Sequence, residues 1–222
     1  MLELELLLVI VVLVVVSFIA LTRKWVGKKT TLIAIIVSLI VYFLGNFYAF
    51  LALVTFFLVG EGTTRLMRKN GKKHDRRNIS NLLGNSGAAV LALLFGSIPA
   101  FFGCMSCALS DTMSSEIGQT SKKKPWMITT FKKVTTGTDG AVSALGLIAG
   151  LTGAIIIGII YFLFDLNLIG MGIIIFAGFA GHLIDSFLGA TLERKKVIGN
   201  TTVNFLACAV SGIITSQMFL FI

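Results

Sequence analysis

The chain has 222 residues, of which 56% are hydrophobic and 13% charged, and its mean hydropathy is +0.94. This composition excludes a water-soluble globular protein and predicts a protein that is solvated in part by lipid. The net charge of +9 is explained by membrane topology and by attraction to anionic lipid or phosphate, so we expect no nucleic-acid binding.

The apolar runs predict an all-α, polytopic helical membrane protein with about eight transmembrane segments. A spanning helix needs about 20 mostly apolar residues, and four stretches meet this requirement directly: residues 4–21, 141–163, 168–190 and 202–222. The first stretch opens with Glu3 and Glu5 instead of a basic region. We therefore expect it to stay in the mature protein and not to act as a signal peptide.

Two further apolar stretches are interrupted. Residues 26–64 are too long for one crossing and contain the turn signal Gly45-Asn46, which predicts a helical hairpin. Residues 83–110 are broken before Pro99, because a proline inside a helix removes a hydrogen bond and clashes with the preceding turn. The second stretch fits either two short crossings or a re-entrant hairpin, which would leave six crossings plus the hairpin.

The basic residues support eight crossings. All nineteen fall into four clusters, at residues 23–29, 65–77, 122–133 and 194–196. Eight crossings with the N-terminus outside put every cluster on the cytoplasmic face, as the positive-inside rule requires. The sequence thus predicts a single integral membrane domain over residues 1–222, lying in the cell membrane with its basic loops in the cytoplasm.

Two pairs of segments resemble each other and indicate a possible parallel internal repeat. The segment GNSGAAVLALLFG at 84–96 matches GTDGAVSALGLIAG at 137–150, and ALSDTMSSE at 108–116 matches HLIDSFLGATLE at 182–193. Parallel repeats in membrane proteins commonly place a binding site between their two halves. The alternative interpretation is that helices rich in Gly and Ala resemble one another by composition.

Four acidic residues are expected together at the cytoplasmic ends of helices: Asp111, Glu116, Asp139 and Asp185. A carboxylate near the apolar slab costs up to about 3 kcal/mol, so we interpret these four as catalytic groups and as Mg²⁺ ligands. Neighbouring polar residues are candidates for binding substrate and nucleotide. They are Arg76, Arg77, Asn78, Asn81, Asn85, Ser114, Ser115, Lys132, Lys133, Thr138 and Asn204.

Histidine and cysteine give weaker signals. His182 and Asp185 are three residues apart on one helix face, a spacing that fits a ligand pair but is more typical of a buried hydrogen bond. Cys104, Cys107 and Cys208 lie in apolar stretches. We expect them to pack as small side chains and not to form disulfides or a metal site.

Several motifs follow one another between residues 76 and 204, namely RRNISNLLGNSGA, DTMSSEIG, TFKKVTTGTDGAVS, HLIDSFLGATLE and a closing VNF. In these motifs the chain resembles the DUF92 family of membrane proteins, which includes the plant phytyl-phosphate kinase. The resemblance implies transfer of a phosphoryl group from a nucleoside triphosphate, expected to be CTP, to an isoprenyl monophosphate of phytyl or geranylgeranyl type, giving the isoprenyl diphosphate. DTMSSEIG also resembles the D-x-x-A-x-x-x-G pattern of CTP-using lipid kinases and cytidylyltransferases, with Ser114 in place of the alanine.

Other functions are open on the residues alone. A membrane transporter of a phosphorylated or lipid-like solute would share the parallel repeat and the intramembrane acids. A related lipid cytidylyltransferase would share the nucleotide motif but release pyrophosphate. A non-catalytic membrane interaction protein would tolerate alanine at all four acids.

Overall fold

The computed structural model describes residues 2–67 and 79–222. The described part forms eight α-helices, α1 Leu2–Thr22, α2 Lys28–Leu44, α3 Phe47–Met67, α4 Ile79–Leu94, α5 Ile98–Gly118, α6 Ala144–Asp165, α7 Leu168–Leu188 and α8 Asn200–Phe219. The prediction of an all-α class is confirmed, and both interrupted stretches fold as helical hairpins.

Five of the described helices are long and apolar enough to cross a membrane: Glu3–Thr22, Phe47–Met67, Ala144–Asp165, Leu168–Glu193 and Asn200–Phe219. The other three fall short for different reasons. Helix α2 has only 17 residues, α4 has a short apolar part at Leu82–Leu94, and α5 carries several polar residues. The eight predicted segments are therefore all helical, but five of them would be recognised as spans by length and composition.

The breaks between helices occur at the predicted turn signals. Asn46 accepts a hydrogen bond at Oδ1 from the backbone N–H of Ala49, at 2.9 Å, which starts α3. Gly96 has a φ of +75°, a left-handed conformation that costs little only for glycine. The next residue, Ser97, caps α5 by accepting a hydrogen bond from the Ala100 N–H at 3.3 Å, with proline in the first turn.

Helices α3, α5 and α7 run in the same direction. Along α5 and α7 the contacts advance together, because Gly178 packs on Ser106 and the His182 ring contacts Asp111. The Thr64 hydroxyl, near the end of α3, donates to Glu116 near the end of α5, at 3.2 Å. The C-terminal ends of these three helices therefore lie on one face of the bundle.

Helices α4, α6 and α8 begin on that same face. The side chains of Asn85 and Asn204, near the starts of α4 and α8, lie 3.0 Å apart, and Ser143 before α6 donates to the Gly118 carbonyl at the end of α5. The described basic residues between these helices thus share one face, which we call the basic face. The guanidinium of Arg65 lies 5.4 Å from the Trp25 ring, so the loop after α1 belongs to it too.

Helix α5 is the centre of the bundle. Its residues from Ala100 to Ser110 are buried on every side, and it packs against α3, α4, α6, α7 and α8. Glycines let its neighbours approach closely, since a Cβ atom added to Gly153 of α6 would lie 2.9 Å from the Leu109 carbonyl oxygen. Small residues serve this purpose in membrane helix packing generally. The polar end of α5 is therefore held in place by the closely packed neighbouring helices.

The segment between α5 and α6 contains a feature that the all-α prediction lacked. Strands β1 Trp126–Met127 and β2 Ala141–Val142 pair in antiparallel fashion, with Trp126 opposite Val142. This small ribbon folds the segment back over the end of the bundle, so Gly140 lies against Gly189 and Ala190, just after α7.

Candidate active site

An open cleft lies at the basic face, between α5, α7 and the segment that joins α5 to α6. Six of the predicted site residues line it, namely Asp111, Ser114, Ser115, Thr138, Asp139 and Asp185. Asp111 and Asp185 occupy matching positions in the two segments of the suggested repeat. The cleft therefore lies between the two halves, where the repeat predicted a site.

Asp111 is positioned by a buried histidine. The His182 Nδ1 atom lies 3.4 Å from Asp111 Oδ1, and the His182 side chain is 2% exposed. The distance is long for a hydrogen bond, but the ring is fixed by packing between α5 and α6, where a Cβ at Gly150 would lie 3.3 Å from it. Of the two expectations for His182, the structure shows the buried polar contact, with Asp111 as its partner instead of Asp185.

Asp185 is positioned by two asparagines. With its amide turned so that its nitrogen faces the acid, Asn204 donates to Asp185 Oδ2 at 3.1 Å and to the Asn200 carbonyl at 3.2 Å. The amide oxygen of Asn204 then faces the buried side chain of Asn85, 3.0 Å away. Asn85 and Asn204 are thus placed behind the cleft, where they orient a carboxylate, and not on its wall as the sequence suggested.

The Gly-Thr-Asp-Gly turn forms the opposite wall. Both of its glycines have left-handed backbones, with φ +86° at Gly137 and φ +74° at Gly140. A Cβ atom at Gly140 would collide with Ala190, just beyond α7, whereas one at Gly137 would meet nothing. Gly140 is therefore required for close docking of the turn, which holds Asp139 at the edge of the cleft.

A π-helical turn over Gly189–Glu193 continues α7. The Arg194 N–H donates to the Gly189 carbonyl, five residues back, at 3.1 Å. Such turns are rare and frequently occur at functional sites. Here the turn brings Glu193 to the cleft wall, beside Asn200.

Glu193 was not among the acids that the sequence singled out. It lies eight residues after Asp185, and at 3.6 residues per turn this spacing puts two helical side chains only about 80° apart. The spacing was therefore a usable signal, within a segment already identified as a repeat.

Neighbouring acids of the cleft repel one another in pairs. Asp185 is close enough to Asp111 and to Glu193 for their charges to interact unfavourably, and Glu193 likewise feels Asp139. No Lys or Arg is present among the described residues that line the cleft. Neighbouring carboxylates favour a bound cation, because a cation offsets the repulsion between their charges.

Three predicted residues lie away from the cleft. Glu116 follows Asp111 by five residues, which places it about 140° further round α5, and its Oε1 atom faces Thr64 of α3. Lys132 and Lys133 are exposed beside the ribbon, where the Lys132 carbonyl accepts from the Met127 N–H at 2.9 Å. Glu116 was expected with the other acids and the two lysines at the bound phosphates. The structure does not bring these three residues to the cleft, because α5 continues as a helix past Glu116 and the lysines lie beside the ribbon.

Four predicted residues are not described. Arg76, Arg77 and Asn78 lie outside the described residues. Asn81 belongs to the first turn of α4, but its side chain is also outside what the structure describes.

The described residues do not form the predicted four-acid metal site. Among residues 2–67 and 79–222, no group of three or more His, Cys, Asp or Glu side chains comes together closely enough to hold a metal ion. The three cysteines are free and buried. The cleft nevertheless offers carboxylate, hydroxyl and amide oxygens, the ligands that Mg²⁺ prefers, and Mg²⁺ often needs only one or two carboxylates when phosphates complete its coordination.

Comparison with known proteins gives the family. No solved structure matches the chain. An uncharacterised membrane protein of Methanocaldococcus jannaschii is 41% identical over 188 residues, covering 79% of this chain and 78% of its own length. An uncharacterised membrane protein of Synechocystis is 31% identical over 187 residues, covering 73% and 72%.

A plant relative is more distant. Protein VTE6, chloroplastic, of Arabidopsis thaliana is 28% identical over 198 residues, covering 78% of this chain and 59% of its own length. The family model described as integral membrane protein DUF92 matches residues 11–212, a range that contains every residue of the cleft. The resemblance seen in the motifs is thereby confirmed, and the chain belongs to the DUF92 family of integral membrane proteins.

Proposed function

We propose that this protein is a phosphotransferase that moves the terminal phosphoryl group of a nucleoside triphosphate to an isoprenyl monophosphate, giving the isoprenyl diphosphate. The observation that carries the proposal is the convergence of Asp111, Asp139, Asp185 and Glu193 at one end of a membrane bundle. Membership of the DUF92 family supports it, because the motifs between residues 76 and 204 resemble a family that includes the plant phytyl-phosphate kinase.

The reaction suits a site without a strong base. An oxygen of the acceptor monophosphate attacks the terminal phosphorus, the bond from that phosphorus to the bridging oxygen breaks, and the nucleoside diphosphate leaves. The attacking oxygen is already anionic, so no proton has to be removed from it. Catalysis then depends on positioning and on neutralising the negative charge of the phosphates. The charged groups in the described wall of the cleft are all acids.

The acids fit Mg²⁺ brought with the nucleotide. We propose that Asp111 and Asp185 hold the ion, since their repulsion is offset by a cation. When bound, Mg²⁺ neutralises charge on the triphosphate and orients its terminal phosphoryl group. His182 fixes Asp111, and Asn204 fixes Asp185, so both carboxylates are oriented before the ligand arrives.

The turn at 137–140 is suited to the phosphates. Its glycines leave the backbone accessible, and the Thr138 side chain lines the cleft between them. Backbone N–H groups in such turns form favourable contacts with anions. We propose that this turn binds the triphosphate, while Ser114 and Ser115 of the DTMSSEIG motif line the α5 side, with CTP as the donor.

Orientation follows from the same proposal. The cleft opens on the basic face, where the described Lys and Arg residues lie, and basic loops are retained on the cytoplasmic side of a cell membrane. A nucleotide from the cytoplasm would then meet a lipid head group at the membrane surface.

The test uses purified protein in lipid nanodiscs, incubated with geranylgeranyl monophosphate, Mg²⁺ and each of the four nucleoside triphosphates. We expect geranylgeranyl diphosphate and nucleoside diphosphate in equal amounts, most rapidly with CTP. Release of pyrophosphate would indicate a cytidylyltransferase instead. Uptake of the lipid phosphate into liposomes without nucleotide consumption would indicate a transporter, and either result would overturn the kinase proposal.

A further inference from the structure

A second groove adjoins the acidic cleft and has the opposite charge. Its wall includes Ser121, Lys122, Lys123, Lys124, Ser143 and Leu145. Ser143 lines both the groove and the cleft. The groove and the cleft therefore adjoin each other at the start of α6.

The groove favours an anion. Lys122, Lys123 and Lys124 are all exposed, and no acid is present among the described residues of its wall. The chain between α5 and the lysines is held by Ser121, whose hydroxyl lies 3.2 Å from both the backbone nitrogen and the carbonyl oxygen of Lys123. Ala144 and Leu145 belong to the first turn of α6, where backbone N–H groups and the helix dipole also favour negative charge.

The groove continues into a surface made for a hydrocarbon chain. Leu145, at its floor, is the first of a line of exposed apolar residues along α6, which also contains Ile148, Leu151, Ile155, Ile159 and Leu163. The opposite side of α6 is fixed against α5 through glycines. Because α6 is long and apolar enough to cross a membrane, this exposed line faces the hydrocarbon of the bilayer.

We propose that the groove is the acceptor subsite, where the three lysines bind the phosphate of a lipid monophosphate whose chain lies along the exposed line of α6. The inference rests on the proposed function and adds to it, because it assigns nucleotide and lipid to separate surfaces. The acids of the cleft would repel an acceptor phosphate that arrived without a cation, whereas the lysines attract it. Ser143, common to both surfaces, marks where the two phosphates would meet.

A lipid phosphate explains the whole surface better than a soluble phosphate does. A soluble ligand would account for the lysines but not for the apolar floor at Leu145 or its continuation along α6. The experiment therefore measures binding of geranylgeranyl monophosphate to protein in uncharged nanodiscs, without nucleotide. Geranylgeraniol and glycerol phosphate are used as competitors, because one has the chain without the phosphate and the other the phosphate without the long chain.

Two variants with equal loss of charge make the comparison. Lys123→Ala/Lys124→Ala changes the groove, and Lys132→Ala/Lys133→Ala removes the same charge from the same connecting segment, outside the groove. We expect the first to weaken binding of geranylgeranyl monophosphate by about tenfold or more and the second by less than about twofold. Equal weakening by both variants would overturn the inference, as would competition by glycerol phosphate as effective as that by the lipid.

The test separates the subsite from the reaction. Binding that depends on Lys123 and Lys124, with no diphosphate formed from any nucleotide, would leave the subsite standing and overturn the proposed function. Equal diphosphate formation by both lysine variants would leave the proposed function standing and overturn the subsite. In the active enzyme we expect the groove variant to raise the KM for the lipid phosphate while leaving the KM for the nucleotide within about twofold.

Discussion

Two groups of acids lie at the basic face, one on each side of α5, and they are surrounded differently. On the α7 side, the acids of the cleft have other acids and neutral groups as their neighbours. On the α3 side, Glu61 Oε1 lies 2.7 Å from Arg65 Nε, and Glu116 accepts from Thr64. We call this second group, made of Glu61, Thr64, Arg65 and Glu116, the α3 group.

The difference between the two groups indicates their roles. A carboxylate with a cationic partner from its own chain has its charge compensated by folding, so its main contribution is to stability. A set of acids without Lys or Arg in the described wall can have its charge compensated by a cation from outside. We therefore expect changes in the cleft to act on the reaction, and changes in the α3 group to act on the folded state.

The largest effect is expected at the paired acids of the cleft. Asp111→Asn and Asp185→Asn keep the shape of the side chain but remove its charge, so each should lower the rate of phosphoryl transfer by about 10²–10³-fold. Thermal unfolding in detergent should be little changed, because the repulsion between the two acids is also relieved. Rates from the nanodisc assay, at saturating lipid and nucleotide, measure the effect.

Glu116→Gln is the matched control, since it removes one negative charge from the same helix. We expect its rate within about twofold of the wild type, because Glu116 faces α3 and not the cleft. A loss as large as that of Asp111→Asn would contradict the division into two groups and return Glu116 to the site predicted from sequence.

A smaller effect is expected at Glu193, the fourth acid of the cleft. Glu193→Gln should lower the transfer rate by about 10–100-fold, the equivalent of one hydrogen bond to a charged group. Titration with Mg²⁺ should show that part of this loss is recovered at high concentration of the ion. An unchanged rate and Mg²⁺ dependence would exclude Glu193 from the reaction.

The fourth acid of the cleft is Glu193 and not the predicted Glu116. This difference shows what could and could not be predicted from the sequence. Apolar runs of about 20 residues, glycine and proline breaks and one-sided charge were enough for all eight helices, since each depends on local composition. They did not predict towards which neighbouring helix each acidic side chain points. Asp111 and Glu116 were expected at the entrance to a loop, but α5 continues to Gly118, and rotation along that helix separates them.

The other differences come from contacts between distant segments. The ribbon at 126–142 and the π-helical turn at 189–193 form where the segment after α5 docks on α7, and no local pattern specifies such docking. For the same reason Lys122, Lys123 and Lys124 were recognised only as part of the topological charge, whereas Lys132 and Lys133 were expected at the site.

Docking of the turn can be tested with its two glycines. Gly140→Ala introduces a Cβ that collides with Ala190, whereas Gly137→Ala faces open space, and both positions have left-handed backbones. Each change costs about 1–2 kcal/mol for the backbone conformation, but only the first also displaces the turn. We expect Gly140→Ala to lower kcat/KM for the nucleotide by about a further tenfold, mainly through a raised KM. Equal values of kcat/KM for the two variants would show that the turn does not bind nucleotide.

The smallest effect on the reaction is expected in the α3 group, and it is also the sharpest test of the comparison. Glu61 is fully buried and bonded to Arg65, so Glu61→Gln should lower the free energy of unfolding by about 1–3 kcal/mol, the cost of losing a hydrogen bond to a charged group. The measurement is the thermal midpoint in detergent, with the transfer rate determined per folded molecule. That rate should stay within about twofold of the wild type, because Glu61 lies on the far side of α5 from the cleft. A Glu61→Gln variant with unchanged unfolding but a tenfold slower reaction would contradict the comparison, since the acids of the α3 group would then take part in the reaction.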